Sequence, residues 1–538
     1  MKLKPITILS FSLALAMNAS AQLNYQKTID CSAGNDYGNM LQMYNGNLSI
    51  IGTTNAVAGN GNDLLLINTD LSGTVQSGFC VGGAGTEFGT AMYIANASGE
   101  TTIVGRSNSY SPGNIQDVFA ARLNAGGNPI FVKVFGTDSI DYATVVKEAS
   151  DGGFIMAGRL KNNDKLDGLV VKMDSVGNIQ WSKNIGTSYT NEVIYDVKSL
   201  GNMYLVAGYS GVNTIGLNES FFSILNAADG SMQGTFLFGG AGDDDARMAI
   251  DGPPGKFFLA GNTRSSGAGL GDIYLARFDV SNFPPSLDWV KTYGGTGEDA
   301  FTSSTLDSLG NIIITGITSS FGTGGDALAF KVDTAGSLIW ANNYGGTSND
   351  AFQSIVNNGT NGFTILGYSN SNTGSASNDL WLVNIDASGS SSCSQSPAAL
   401  VVGTQAATYI TPPNAPTLDF TSTDIVLTDR AAQPNGGPIA TTESMLCTSV
   451  SVNNLELNDI QVYPNPSNEV VNINLGNNAA NVKSISVFNY LGSKVSETSG
   501  SVFNSVYTLN VSNLVNGLYT IVINTKNQQL AYKISVTK

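Results

Sequence analysis

Residues 294–345 read GGTGEDAFTSSTLDSLGNIIITGITSSFGTGGDALAFKVDTAGSLIWANNYG, and this unit contains the pattern that decides the fold. Alternating apolar residues and many β-branched residues predict four short strands in it. They lie at Ala300–Leu306, Asn311–Gly316, Ala327–Val332 and Leu338–Tyr344. Asp333 and Gly336 enclose the last turn, because Asp accepts backbone N–H groups there and Gly tolerates a positive φ. The unit is therefore predicted to be a small antiparallel sheet.

Copies of this unit recur at intervals of about 50 residues along the chain. A strand that ends in glycine marks each copy, at Gly52, Gly105, Gly158, Gly208, Gly261, Gly316 and Gly367. An acidic residue precedes each third strand, at Asp63, Asp117, Asp167, Glu219, Asp272, Asp326 and Asp379. Repeats of four short antiparallel strands are typical of β-propellers, in which each repeat forms one blade. The sequence therefore predicts an all-β protein whose largest part is a seven-bladed β-propeller.

The last repeat lacks a fourth strand of its own, because the serine-rich stretch Ser390–Pro397 is a poor strand. The segment Asn24–Ile29, by contrast, reads as a strand with no unit around it. We expect it to complete the seventh blade and so to remove the open edges of the ring. Trp181, Trp289 and Trp340 stand in fourth strands, and we expect them to pack blade against blade on the outermost strand.

Two carboxylates per repeat are expected on one face of the propeller, where the loops between units and the loops before the third strands emerge together. Those between units are Asp36, Glu87, Asp141, Glu192, Asp244, Asp299 and Asp350. Carboxylates that recur in every blade suit the capping of their own turns. A ligand site is the alternative, and its candidate residues are Asp244, Asp272, Asp299, Asp326 and Asp350.

The densest acidic cluster is Asp243, Asp244 and Asp245, in a glycine-rich loop. Oxygen ligands on flexible loops suit Ca²⁺, so these three residues are the candidate metal ligands and Ca²⁺ is the one candidate cofactor. The spacing matches neither an EF-hand nor a nonapeptide calcium repeat.

The composition excludes several kinds of chemistry. The 538 residues include no histidine, which excludes Ser-His-Asp triads and imidazole bases. With 25 basic and 41 acidic residues the formal net charge is −16, so nucleic acid is not an expected partner. No nucleophile motif or phosphate-binding loop is present, and no catalytic residue is predicted. The sequence favours a binding scaffold for a glycan or a protein; the alternatives are a glycan-active enzyme that uses paired carboxylates, and a structural or adhesin component of the cell surface.

The first 21 residues have the pattern of a secretory signal peptide, with Lys2 and Lys4 before an apolar run and Ala19-Ser20-Ala21 at its end. No later segment is apolar and long enough for a transmembrane helix. We therefore expect a secreted or surface-held protein. An even number of cysteines in such a protein permits two disulfides. Of the three possible pairings we favour Cys393–Cys447 with Cys31–Cys80, and reduced thiols are the alternative.

The elements GG-x-G-x-D, G-x-T-x-S and D-x-x-x-x-K-x-D-x-x-G-x-x-x-W recur through residues 24–389. This pattern resembles the bacterial seven-bladed β-propeller repeat family, which implies a scaffold and fixes no single activity. The propeller is predicted at residues 22–392. Residues 393–450 lose the period and are predicted to form a β-rich connector of short strands.

The motifs VYPNP at 462–466, VFNYLG at 487–492, LVNGLY at 514–519 and KISVTK at 533–538 lie near the C-terminus. Residues 455–538 thereby resemble the type A C-terminal sorting domain of the type IX secretion system of Bacteroidetes. The resemblance implies a small Ig-like β-sandwich that the outer-membrane translocon recognises as a partner. The positions that match its motifs include Pro464, Asn465, Pro466, Gly492, Gly517, Tyr519 and Lys538.

Overall fold

The computed structural model contains two compact units, one up to Ser449 and one from Val450. The structure describes residues 24–31, 34–55, 61–162, 164–188, 190–212, 215, 217–322, 324–359, 362–371, 378–391, 394–410, 421–424, 428–430, 435–438, 442–445, 461–475, 482–489, 494–499, 505–525 and 529–538. The predicted signal peptide at 1–21 and both Cys393 and Cys447 lie outside these residues.

The first unit contains seven antiparallel sheets of five strands each. Strand β1 is Tyr25–Asp30. Sheet 1 contains β2 (Asp36–Tyr44), β3 (Asn47–Thr54), β4 (Asp63–Asp70) and β5 (Val75–Gly82). Sheet 2 contains β6 (Glu87–Ile94), β7 (Thr101–Ser107), β8 (Asp117–Leu123) and β9 (Pro129–Gly136), with a short 3₁₀ helix at Pro112–Asn114. Sheet 3 contains β10 (Asp141–Glu148), β11 (Phe154–Asn162), β12 (Lys165–Met173) and β13 (Ile179–Gly186).

Sheets 4–6 repeat this order of four consecutive strands, whereas sheet 7 has three consecutive strands and β1. Sheet 4 contains β14 (Glu192–Ser199), β15 (Met203–Ser210), β16 (Glu219–Asn226) and β17 (Met232–Gly239). Sheet 5 contains β18 (Asp244–Asp251), β19 (Lys256–Thr263), β20 (Asp272–Asp279) and β21 (Ser286–Gly294). Sheet 6 contains β22 (Asp299–Leu306), β23 (Ile312–Thr318), β24 (Asp326–Val332) and β25 (Leu338–Tyr344). Sheet 7 contains β26 (Asp350–Asn357), β27 (Gly362–Ser369), β28 (Asp379–Asp386) and β1.

The sheets pack in a cyclic order, because each first strand contacts the first strand of the next sheet and β26 contacts β2. The seven first strands therefore lie innermost. Between the sheets, apolar side chains from the middle strands are buried, such as Val170 of sheet 3 beside Phe221 of sheet 4. Burying these side chains is the main favourable term that holds the sheets together.

Strand β1 pairs in antiparallel register with β28, with Ile29 opposite Leu380. This is the pairing expected for Asn24–Ile29. It places the N-terminal strand of the unit in the same sheet as the last repeat.

A belt of short strands, which we define as residues 395–445, supplies the fifth strand of every sheet. The belt strands are β29 (Gln395–Pro397), β30 (Val401–Thr404), β31 (Thr408–Ile410), β32 (Thr421–Asp424), β33 (Thr428–Arg430), β34 (Asn435–Pro438) and β35 (Thr442–Met445). They pair in turn with sheets 6, 5, 4, 3, 2, 1 and 7. The sequence predicted short strands here, but as a connector between domains. In the structure they cover the edge of each sheet instead.

The three tryptophans of the fourth strands, Trp181, Trp289 and Trp340, pack one sheet against the next, as expected. The indole N–H of Trp181 in sheet 3 donates to the carbonyl of Ala227 in sheet 4 at 3.1 Å, and Trp340 in sheet 6 donates to Ala387 in sheet 7 at 3.0 Å. They do not lie on outermost strands, because the belt adds a further strand outside each of them.

The second unit contains two antiparallel sheets around one apolar core. Its strands are β36 (Gln461–Tyr463), β37 (Val470–Asn474), β38 (Val482–Asn489), β39 (Lys494–Ser499), β40 (Val506–Asn510), β41 (Gly517–Thr525) and β42 (Gln529–Val536). In the described part of the chain, no helix is long and apolar enough to cross a membrane.

Candidate functional site

At four of the sheet corners, two repeated carboxylates meet around a glycine at the end of the fourth strand. Gly294 lies between Asp272 of sheet 5 and Asp299 of sheet 6. A Cβ atom on Gly294 would lie 1.8 Å from Oδ1 of Asp272 and 2.9 Å from Oδ2 of Asp299. Equivalent contacts surround Gly136, Gly186 and Gly345. These corners need glycine because no side chain fits between the two carboxylates.

The carboxylate at the start of each first strand holds the corner loop by hydrogen bonds. The backbone N–H of Gly295 donates to Asp299 at 2.7 Å, and the hydroxyl of Ser320 donates to the same oxygen at 2.7 Å. Asp244 accepts in the same way from the backbone of Gly240 and from Ser265. This is the turn-capping role that repetition in every blade favoured.

The five candidate binding residues are all withdrawn from solvent. Their exposed fractions are 1% for Asp244, Asp272, Asp299 and Asp350 and 2% for Asp326. Burial raises the pKa of Asp244 and of Asp272 above its ordinary value. A ligand-binding role for these residues stays a prediction, and the geometry favours turn capping for Asp244, Asp299 and Asp350.

The three successive carboxylates of the candidate calcium site diverge. Asp243 accepts from the side-chain amide of Asn218 at 2.7 Å, whereas Asp245 pairs with the guanidinium of Arg247 at 2.7 Å. Asp244 turns into the buried corner. Alternation along the strand sends neighbouring side chains to opposite faces, so the cluster in the sequence is not a cluster in space. No metal-holding group of three acidic or thiol side chains occurs among the described residues.

Cys31 and Cys80 are both buried and are not joined by a disulfide. The predicted disulfide between Cys31 and Cys80 is therefore wrong for this structure. Each thiol is instead hydrogen-bonded to a carboxylate, Cys31 to Asp36 and Cys80 to Asp63. Burial raises the pKa of Cys31 and raises that of Cys80 to about 12. Both are therefore protonated and unreactive in the folded protein at neutral pH.

A band of aromatic and arginine side chains, which sequence reasoning missed, crosses the first two strands of neighbouring sheets. We define this inner band as Tyr37, Phe88, Arg106, Tyr142, Arg159, Tyr195, Tyr209, Arg247 and Tyr368. Four members, among them Arg106 and Arg159, directly follow the glycine that marks each repeat. Five residue types occupy that position in the seven repeats, and this variability is the sequence signal that could have revealed the band.

The side chains of the inner band stack in separate groups. The guanidinium carbon of Arg106 lies 4.2 Å from the ring centre of Phe88 and 5.2 Å from that of Tyr142. Arg159 lies 4.2 Å from the ring centre of the same Tyr142. Further along, Arg247 lies 3.9 Å from the ring centre of Tyr195. Aromatic faces attract cations, so each contact orients a guanidinium.

A small pocket of about 200 Å³ opens at one end of the inner band. Its lining residues are Tyr37, Asn39, Thr53, Phe88, Gln353 and Tyr368. The rings of Tyr37 and Tyr368 meet edge to face at 5.4 Å. Three aromatic rings with two amides and a hydroxyl form a lining that can stack on a ligand and hydrogen-bond to it.

A larger cavity of about 540 Å³ lies at the opposite, C-terminal ends of the first strands of sheets 2–6. Several of its charged side chains have partners within the protein. Lys198 pairs with Asp251 at 2.6 Å, and Asp196 accepts the backbone N–H of Ala249 at 2.8 Å. Burial raises the pKa of Asp196. This cavity is therefore a weaker candidate site than the inner band.

The motif residues of the second unit tie its C-terminal strand in place. Asn465 accepts the backbone N–H of Ser535 at 2.8 Å and donates to the carbonyl of Lys533 at 3.0 Å. The backbone N–H of Lys538 donates to Asn516 at 2.9 Å. Pro464 and Pro466 flank Asn465 on an exposed segment, Gly517 begins β41, and Tyr519 is buried against the core. Gly492 lies outside the described residues.

The fold and the site thus define an all-β repeat protein with a separate C-terminal unit, and the comparisons identify that unit. Residues 461–537 match the family described as the secretion system C-terminal sorting domain. This domain marks proteins that the type IX secretion system exports to the cell surface or the extracellular space, and it implies contact with that machinery.

No curated protein matches the chain. Among solved structures, a mutant of the NanB sialidase from Streptococcus pneumoniae aligns at 11% identity and a TM-score of 0.32, covering 68% of this chain and 70% of its own. The extracellular domain of a proposed one-component system from B. thetaiotaomicron aligns at 9% identity and a TM-score of 0.15, covering 95% of this chain and 99% of its own. Similarity at this level carries no argument about activity.

Proposed function

We propose that this protein is a secreted or cell-surface binding scaffold whose ligand, a glycan or a protein, binds at the inner band. In this proposal residues 22–392 form a seven-bladed β-propeller, with residues 24–29 closing the last blade. Residues 455–538 form an Ig-like sandwich of the type A sorting class. The cyclic packing of seven sheets and the pairing of β1 with β28 support the propeller.

The observation that carries the proposal is the contrast between the corners and the inner band. Corner residues such as Gly294 and Asp299 repeat because each maintains the same turn. Band positions differ from sheet to sheet, with Arg106 and Arg159 in two sheets but Ile317 in a third. A site is expected where a symmetric scaffold departs from its symmetry, because a ligand needs one arrangement of groups and not seven copies.

The enzymatic alternative finds no specific support in the described residues. It required carboxylates such as Asp244 and Asp299 to face a substrate, but these cap buried corners. Nothing on the inner band combines a nucleophile with a base. The aromatic faces and guanidinium groups there are typical of binding surfaces.

The experiment is a glycan array combined with a pull-down of surface proteins, using the full secreted chain. Tyr142→Ala should abolish capture of the ligand, because it removes the ring on which two arginines stack. Leu309→Ala, at a turn residue that is 82% exposed, is the matched control and should bind as the wild type does. Capture that Tyr142→Ala leaves unchanged would contradict the proposal, as would turnover of a substrate with no stable binding.

A further inference from the structure

Arg106 and Arg159 are two half-buried cations with no anion beside them. The other arginines whose side chains are described each have a carboxylate within 3 Å, at Arg122, Arg247, Arg264 and Arg277. No such partner lies by Arg106 or Arg159 in the described part of the chain, although acidic residues outnumber basic ones. The Nε atoms of both are buried without an acceptor.

The two guanidinium groups also share one aromatic neighbour. Both lie on the ring of Tyr142, at 5.2 Å and 4.2 Å from its centre. Burial, together with the positive charge of Arg159, lowers the pKa of Arg106. Two neighbouring cations that are partly removed from water are unfavourable unless an anion offsets them. Their forked N–H groups match a carboxylate or a sulfate.

The neighbouring pocket indicates what the anion is attached to. Phe88 is shared, since Arg106 stacks on its ring and the same ring lines the 200 Å³ pocket. That pocket has the volume of about one sugar ring. Its aromatic faces can pack on the C–H face of a sugar, and Asn39 and Gln353 provide amides for hydroxyl groups.

We propose that the inner band binds an acidic oligosaccharide, with a carboxylate or sulfate held by Arg106 and Arg159 and an adjacent sugar ring in the pocket lined by Tyr37, Phe88 and Tyr368. This inference rests on the proposed function and names the ligand class for the same site. The anion of the ligand supplies the negative counter-charge that the described residues do not place beside the two arginines. Because the ligand is charged, binding weakens as the salt concentration rises.

The test is calorimetric titration of the full secreted chain with three probes. They are an oligogalacturonate, the same oligosaccharide with its carboxylates methyl-esterified, and a sulfated galactan oligosaccharide. Binding of the oligogalacturonate or of the sulfated galactan supports the proposal and tells the two anion sources apart. We expect the methyl ester to bind at least about tenfold more weakly than the acid, because its charge-assisted hydrogen bonds are lost.

Arg106→Gln and Arg159→Gln should each weaken binding of the acidic probe by about 10- to 100-fold. Arg264→Gln is the control, because Arg264 is exposed, pairs with Glu298 and lies outside the inner band. Unchanged melting temperatures show that the variants remain folded. Equal affinity for the acid and its ester would overturn the acidic ligand but leave the scaffold intact. Capture of an acidic peptide or a neutral glycan alone would also overturn the acidic oligosaccharide and leave the scaffold intact. If the chain captured no ligand of any kind, that result would contradict the proposed function itself.

Discussion

Asp30 stands beside Asp379 at the one corner of the seven where the residue between two carboxylates is not glycine. In sheets 1–6 the corresponding positions are Gly82, Gly136, Gly186, Gly239, Gly294 and Gly345. In sheet 7 the register of β1 on β28 puts Asp30 there, between Asp379 and Asp36. Three carboxylates therefore meet where the N-terminal strand completes the last sheet.

This corner predicts a pH-dependent stability. Burial, with the charges of Asp30 and Asp36, raises the pKa of Asp379 from 3.8 to about 6. The folded protein thus binds the carboxyl proton of Asp379 more tightly than the unfolded chain does. The stability that this proton contributes is fully present below about pH 4 and is lost as the pH rises through 6. Asp30→Gly should raise the stability at pH 8 by on the order of 1–2 kcal/mol. The gain should shrink at pH 5, as thermal melts at both pH values would measure; an equal gain at both would contradict this account.

The corners of the other sheets should be intolerant of a lost charge. Asp299→Asn keeps the size of the side chain but replaces one carboxylate oxygen with an NH2 group. Either Thr318, which donates to Oδ1, or both Gly295 and Ser320, which donate to Oδ2, then lose their acceptor. We expect a loss of about 1–3 kcal/mol in the free energy of unfolding by denaturant. Asp164→Asn, at a fully exposed aspartate, should change stability by less than about 0.5 kcal/mol. Similar losses in both variants would disprove the capping role.

The sequence predicted the repeated strands well because each has alternating apolar residues and a fixed spacing. The belt could not be predicted to pair with the sheets, because strands as short as Thr408–Ile410 carry too few residues to show a period. The arrangement of the acidic cluster could not be predicted either, since Asp243, Asp244 and Asp245 are adjacent in sequence but have different partners in the structure. Repetition could not reveal the inner band, because positions such as that of Arg106 hold different residues in different repeats.

The belt should contribute to the stability of the sheets that it covers. The N–H of Ala398 donates to the carbonyl of Ala341 in sheet 6 at 3.0 Å, and Ala398→Pro removes this donor. We expect hydrogen exchange to quicken in β25 and the unfolding free energy to fall by about 2–3 kcal/mol. Ala398→Gly keeps the N–H group, and its unfolding free energy should fall by about 1 kcal/mol or less. Identical exchange in the wild type and the proline variant would mean that the belt is only loosely attached.

Export should depend on the C-terminal unit. A chain truncated after Val450 lacks the sorting domain that matches at 461–537, and we expect it to accumulate in the periplasm. Cell fractionation followed by immunoblotting measures this. Secretion of the truncated chain at the normal level would show that another segment carries the export signal.

The central claim is that the inner band binds the ligand, and hydroxyl-radical footprinting tests it most directly, since oxidation reports the solvent access of each side chain. With the ligand captured on the array added to the full secreted chain, the account predicts that oxidation of Tyr37, Phe88 and Tyr142 falls severalfold. Leu270, which is 71% exposed in a corner loop, should be oxidised as before. Protection of Leu270 and the neighbouring loops with no change at Tyr37, Phe88 and Tyr142 would contradict the claim.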